Sequence, residues 1–288
     1  MKEDIKMQTI TTVKQMQDWC IEQKRQGKTI ALVPTMGYLH QGHLSLVQEA
    51  RRACDIVVVS LFVNPIQFGV GEDFEDYPRD LSKDSLLLET EQVDALFAPS
   101  IKEMYPTGYN SFVEVLGEIS SKLCAQSRPG HFRGVTTVVS KLFHICCPDK
   151  AFFGQKDAQQ VMIIEKMAAE LNFPLEIVRV PIVREADGLA LSSRNVYLDE
   201  EQRQQALVLS RSLQAARALI ESGERKATMV KSRLVEQIES SPGANLVYAE
   251  IYDARDLADV EEINSRVLIA LAVKFGSTRL IDNLLVEV

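Results

Sequence analysis

Two of the four histidines in this 288-residue chain, His40 and His43, stand three residues apart in the segment PTMGYLHQGHLSL that begins at Pro34. An imidazole can donate to a phosphate oxygen or, when protonated, offset the charge that develops on a leaving pyrophosphate. Gly37 and Gly42 beside them let backbone approach a phosphate closely. The cluster of His40 and His43 with Gly37 and Gly42 therefore reads as a triphosphate site. The same spacing would suit a metal pair, but no Glu completes an HExxH frame and no third ligand lies nearby in sequence. One of the two histidines could instead cap or pack. Gln26–Thr29 imitate the tail of a P-loop, yet Glu22 stands where that loop needs its first glycine.

Hydrophobic patterning places this motif. Thr29–Thr35 is apolar and predicts a buried strand, and His43, Val47, Ala50 and Cys54 share one face of a following helix. Asp55–Val63 is a β-branched run suited to a strand covered on both faces. This β-α-β unit implies a right-handed crossover and a parallel sheet, whose ligands sit beyond the carboxyl ends of the strands. A helix N-terminus there offers N–H groups and positive potential to an anion. The pattern continues with a helix over 81–90, strands over 95–98 and 112–115, a helix over 134–146, the strand Ala151–Gly154, a helix over 157–171 and a strand over 175–180. Beyond Pro181–Arg184 the alternation changes: helices over 199–222 and 228–240 and strands over 246–252, 267–275 and 284–288 predict a smaller α+β domain. The expected fold class is α/β, a doubly wound, Rossmann-like domain over residues 1–182 followed by a smaller α+β lid domain over 183–288.

Composition narrows the function classes. Apolar residues make up 46% and charged residues 25%, which excludes a disordered or low-complexity chain. The net charge of −8 opposes a nucleic-acid or anionic-membrane partner, so any phosphate must be held locally. No apolar stretch reaches the length of a membrane span, and the Met1-Lys2-Glu3-Asp4 start has no apolar leader, which makes the cytoplasm the expected compartment. The five cysteines are scattered and are read as reduced, buried thiols. Asp73, Glu75, Asp76 and Asp80 form an acidic cluster, read as a solvated helix start rather than a metal site.

Several separate blocks resemble one family: PTMGYLHQGHLSL, FVNPIQFG from Phe62, EDFEDYPRDL from Glu72, HFRGVTTVV from His131, FGQKDAQQ from Phe153 and READGLALSSRNVYL from Arg184. Together they are similar, in order, to the HxGH superfamily of adenylyl-transferring enzymes and, within it, to the pantothenate synthetase (pantoate–β-alanine ligase) family. The resemblance implies ATP-dependent condensation of (R)-pantoate with β-alanine through a pantoyl-adenylate, releasing AMP and pyrophosphate, with Mg2+ accompanying ATP. It implies that Met36–His43 form the ATP loop, His43 being the proton donor to pyrophosphate and His40 assisting. Gly154, Gln155, Lys156 and Asp157 follow a strand and precede a helix, with Lys156 as a phosphate cation and Asp157 suited to ribose or magnesium. Gln155 stands where the family is usually acidic. Leu191, Ser192, Ser193 and Arg194 correspond to the second phosphate-gripping motif, and Val183 to a backbone contact with adenine. Gln67 and Gln160 are assigned to pantoate; without the resemblance each glutamine, like Arg128, His131 and Arg133, reads as a surface or loop residue. A homodimer is also implied. The alternatives are another HxGH nucleotidylyltransferase, where a basic phosphate receptor should replace the two glutamines, and a non-catalytic nucleotide sensor.

Overall fold

A computed structural model describes residues 7–288. In chain order the elements are β1 Gln8–Ile10, α1 Val13–Arg25, β2 Ile30–Thr35, α2 Gln41–Ala53, β3 Ile56–Leu61, α3 Leu81–Thr90, β4 Ala95–Phe97, α4 Ile101–Met104, α5 Cys124–Ser127, α6 His131–Cys146, β5 Lys150–Gly154, α7 Ala158–Glu170, β6 Glu176–Val180, α8 Glu200–Glu221, α9 Ala227–Glu239, β7 Ala244–Asp253, β8 Val267–Phe275 and β9 Thr278–Val286. They form two compact units. The first comprises the described residues up to Val115, Ser127–Gln155 and Ile163–Pro181; the second comprises Leu116–Gln126, Lys156–Met162 and Ile182–Val288.

The first unit is built on a six-stranded sheet in the order β1-β4-β3-β2-β5-β6, every pair parallel. β2 (IALVPT) and β3 (IVVVSL) are buried almost throughout, as strands covered on both faces must be. Ala31, Val33, Val57, Val59, Leu96 and Phe152 join Leu46, Val47 and Ala50 of α2 and Leu88 of α3 in one apolar cluster. The alternate strand residues Ile30, Leu32 and Val58 are also fully buried, and α1 and α6 pack beneath β2. The second unit packs α8 and α9 on the antiparallel sheet β7-β8-β9, around Leu209, Leu213, Val230, Leu234, Ile269 and Leu271. The doubly wound sheet and the smaller α+β part expected from the alternation are both present.

Several local expectations change. Residues 112–115 join no sheet: the Val113 N–H donates to Thr137 Oγ1 (3.0 Å) and its carbonyl accepts from Thr136 Oγ1 (2.5 Å), so helix hydroxyls take the groups a strand would pair. α6 begins at His131 rather than Gly134, which removes Arg133 and His131 from a mobile loop. β9 starts six residues before the expected Leu284, at Thr278. β1, α1 and the one-turn α4 were not foreseen; Thr12 caps α1, and Lys24 and Arg25 complement its C-terminal end. None of the described cysteines forms a disulfide; Cys20, Cys124 and Cys146 are buried as expected, whereas Cys54 is half-buried and Cys147 is exposed.

Candidate active site

In the first unit the chain leaves β2 through α2 toward β3 on one side, while β5 lies against β2 on the other. This is the point where the strand order reverses, and ligands of open α/β sheets bind beyond the strand ends at such a point. β2 ends at Thr35, immediately before Met36–His40, and β5 ends at Gly154. A Cβ added to Gly154 would meet nothing within 4 Å, so packing within the protein does not demand the glycine and room remains there for a ligand.

The two histidines build the start of α2. His40 is the N-cap residue; its Nδ1 accepts from the Gly42 N–H (3.1 Å), and His43 Nδ1 accepts from the His40 N–H (3.4 Å), a reciprocal capping box made of imidazoles. Their rings are tilted by 35° to one another with centroids 4.1 Å apart. A backbone N–H can only donate, so each Nδ1 carries a lone pair and each neutral ring bears its proton on Nε2. Capping, one of the readings the sequence left open, is what Nδ1 of both rings does here. Preceding backbone is equally committed. The Gly37 N–H donates to Thr35 Oγ1 (3.3 Å), and the Tyr38 and Leu39 N–H groups donate to Asp84 Oδ2 and Oδ1 (2.8 and 2.7 Å). The sequence suggested that N–H groups at this helix start would meet a phosphate; those of residues 37–40 and 42 already have protein acceptors.

A second polar cluster surrounds Gln67, which is buried rather than on the surface. Asn64 Nδ2 donates to Gln67 Oε1 and to the Gly134 carbonyl (both 3.0 Å), Tyr105 Oη donates to Asn64 Oδ1 (2.8 Å), and Gln67 Nε2 lies 3.1 Å from Met36 Sδ. Gln67 therefore reaches back to the first residue of the histidine segment. Its carbonyl accepts from His131 Nδ1 (2.8 Å), while Arg128 donates to His131 Nε2 (3.0 Å) and grips Glu72 with two bonds (2.7 and 2.6 Å). A guanidinium has no lone pair to offer, so it fixes the His131 tautomer as Nδ1–H. Burial pushes the Glu72 carboxyl up, but the Arg128 hydrogen bonds and charge outweigh it and hold the group below the usual glutamate range. Gly134 is required by close approach: a Cβ there would stand 2.5 Å from the Ile66 carbonyl oxygen and 2.6 Å from Gln67 Cα.

In the second unit, Lys156 Nζ lies 3.8 Å from Asp157 Oδ1, and the Lys156 carbonyl accepts from Asn283 Nδ2 (2.9 Å). Gln160 is half-buried. Its neighbour Gln159 is structural, accepting from the Cys124 N–H (3.0 Å) and donating to the Ile119 and Lys122 carbonyls (2.9 and 2.7 Å). Val183 accepts the Leu191 N–H (3.0 Å), and Arg184 grips the buried Asp282 with two bonds (2.6 and 2.9 Å), anchoring the segment that leads into Ser192–Arg194. Ser192 Oγ accepts from the Arg194 N–H (3.2 Å), Ser193 is buried, and Leu191 and Arg194 are half-buried. Of the acidic cluster, Asp80 caps α3 by accepting from the Lys83 N–H (3.0 Å), and the neighbouring Glu72 pairs with Arg128; among the described residues no group of three or more His, Cys, Asp or Glu could hold a metal ion.

The pantoate–beta-alanine ligase family model matches residues 8–285. The chain belongs to that family. It is 64% identical to the pantothenate synthetase of Syntrophomonas wolfei over 98% of this chain and 100% of the relative. It is similar to the crystal structure of pantothenate synthetase from Thermus thermophilus (TM-score 0.92, 43% identity, 96% of this chain and 99% of that one). It is also similar to pantoate–beta-alanine ligase from Francisella tularensis, solved in complex with beta-gamma ATP and beta-alanine (TM-score 0.79, 34% identity, 97% of each chain). Three supporting residues of this pantoate–beta-alanine ligase family member were not singled out in the sequence: Asn64, Asp84 and Glu72. Asn64 lies within the FVNPIQFG block and Glu72 opens the next one, so the blocks themselves pointed to both. Asp84 had no such signal beyond lying one turn after Asp80 in a predicted helix.

Proposed function

We propose that the chain condenses (R)-pantoate with β-alanine at the expense of ATP, in two steps. In the first, a pantoate carboxylate oxygen attacks the α-phosphorus, the bond from that phosphorus to the bridging oxygen breaks, and pyrophosphate leaves with the electron pair. In the second, the β-alanine amine attacks the acyl carbon, AMP departs, and the amine loses a proton as pantothenate forms. A free carboxylate is a poor acyl donor, and adenylation gives it a leaving group.

The observation that carries this reading is the imidazole pair at the β2–β5 switch point, each ring capping α2 through Nδ1 and bearing its proton on Nε2. His43 supplies that proton, or its hydrogen bond, to the departing pyrophosphate, and His40 assists. Lys156 acts as the third catalytic group, a cation toward the phosphates. Met36–His43, Gly154–Asp157, Val183 and Leu191–Arg194 hold ATP, and the amides of Gln67 and Gln160 orient pantoate, whose hydroxyls and carboxylate need both donors and acceptors. Mg2+ would accompany ATP and supply charge neutralisation at the phosphates. Asp157 is the carboxylate in these segments suited to ribose or to that ion. A homodimer follows the family resemblance and a cytoplasmic location is the expectation from the sequence; no described helix is long and apolar enough to cross a membrane. The test is isotope exchange: labelled pyrophosphate should enter ATP only when pantoate is present, and AMP should appear when β-alanine is added. Exchange without pantoate would overturn the reading.

A further inference from the structure

The histidine segment depends on a carboxylate from another element. Asp84 lies in the first turn of α3 and is 2% exposed, yet both its oxygens face the β2–α2 loop. Oδ2 accepts from the Tyr38 N–H at 2.8 Å and Oδ1 from the Leu39 N–H at 2.7 Å. The turn is left-handed at Gly37 (φ +86°) and Tyr38 (φ +52°), a conformation that strains a non-glycine residue. A Cβ on Gly37 would sit 3.1 Å from Asp84 Oδ2, so the carboxylate fills the space that a side chain would otherwise occupy. Lys83, its chain neighbour, places its ammonium 5.3 Å from the Tyr38 ring centroid. The next residue after Leu39 is the capping His40.

We propose that Asp84 is a positioning residue for the adenylation step: its carboxylate, by holding the Tyr38 and Leu39 N–H groups, sets the left-handed turn that aims the Nε2 atoms of His40 and His43. The proposal rests on the reading of those imidazoles as the phosphate-facing groups. Ionisation costs Asp84 because it is buried, and the two N–H bonds and the positive end of α3 offset only part of that cost. A neutral amide of the same shape would turn an N–H2 group toward one of the two N–H donors and lose that bond.

The test is Asp84→Asn in the full chain. Wild type must first show pantoate-dependent pyrophosphate exchange; its failure to do so removes the functional reading, independently of Asp84. Given that exchange, the variant should show a rise of about tenfold or more in the KM for ATP with a pantoate KM within about twofold of wild type, the loss expected when one ionic hydrogen bond is replaced by a mismatched pair. The 15N signals of His40 and His43 should also move away from the Nε2–H pattern of wild type, a change that general destabilisation would not produce. A folded variant with wild-type KM for ATP and unchanged imidazole signals would overturn the proposal. A measurement on wild type alone covers a variant that does not fold: the Tyr38 and Leu39 amides should exchange with solvent at least about 100-fold more slowly than unprotected amides, and unprotected rates at both would equally overturn it.

Discussion

Two polar clusters of the first unit use charge in opposite senses. At the β2–α2 turn an anion, Asp84, takes up backbone N–H groups; around Gln67 a cation and the histidine it orients, Arg128 and His131, engage a backbone carbonyl. In the first cluster a buried carboxylate, and in the second a half-buried guanidinium acting with a buried imidazole, satisfies main chain beside the side chains proposed to meet ligand, the imidazoles of His40 and His43 in one and the Gln67 amide in the other. The difference matches the ligands proposed for each. Anionic phosphates are served by removing competing backbone donors and presenting fixed N–H groups, whereas a substrate with hydroxyls and a carboxylate is served by an amide that can both give and accept. The two clusters meet where Gln67 Nε2 approaches Met36 Sδ at 3.1 Å.

The contrast can be broken most forcefully at Gly134. Gly134→Ala would drive a methyl group into the backbone at Ile66 and Gln67, both approaches under 3 Å. Overpacking of this kind costs about 1–3 kcal/mol, or more where backbone must shift. Thermal unfolding should register the loss, and the KM for pantoate should rise about tenfold while that for ATP changes little, because the disturbance lands on one cluster only. Equal effects on both substrates would mean that the clusters do not act separately.

Acid stability sharpens the comparison with a smaller effect of opposite sign at each carboxylate. Glu72 is held below its ordinary pKa of 4.5, so it contributes stability above that value which is lost as pH falls through its lowered folded pKa. Asp84 has a raised pKa: burial lifts it further than the Leu39 and Tyr38 N–H groups lower it, so its charge is a penalty at neutral pH that is relieved as pH falls. Denaturant titrations between about pH 3 and pH 6 should therefore show a flatter acid limb for Glu72→Gln and a steeper one for Asp84→Asn, relative to wild type. Slopes that change in the same direction would contradict the assignment of opposite roles.

Much of this was legible in the sequence because it is periodic or local. The buried β-branched runs gave β2 and β3, and the histidine spacing gave the α2 start to within two residues. β1 escaped notice because three residues carry too little pattern, and 112–115 misled because β-branched and aromatic residues can be held extended by helix hydroxyls as well as by a sheet. The supporting charges were harder to read. Asp84 acts 46 residues from Tyr38, and Arg128 acts 56 residues from Glu72, so both roles exist only once the parallel sheet has brought separate crossovers together. Gln67 looked like a surface residue on composition alone; its burial follows from the glycine at position 134 that lets α6 approach.

The most direct test of the account is a rapid-quench measurement of pantoyl-adenylate formation in a single turnover, with pantoate and ATP present and β-alanine withheld, in wild type and in His43→Ala. The account predicts that the adenylate forms about 100-fold more slowly in the folded variant, the contribution expected of a positioned proton donor. An unchanged rate would show that the imidazole at the head of α2 does not act on the departing pyrophosphate.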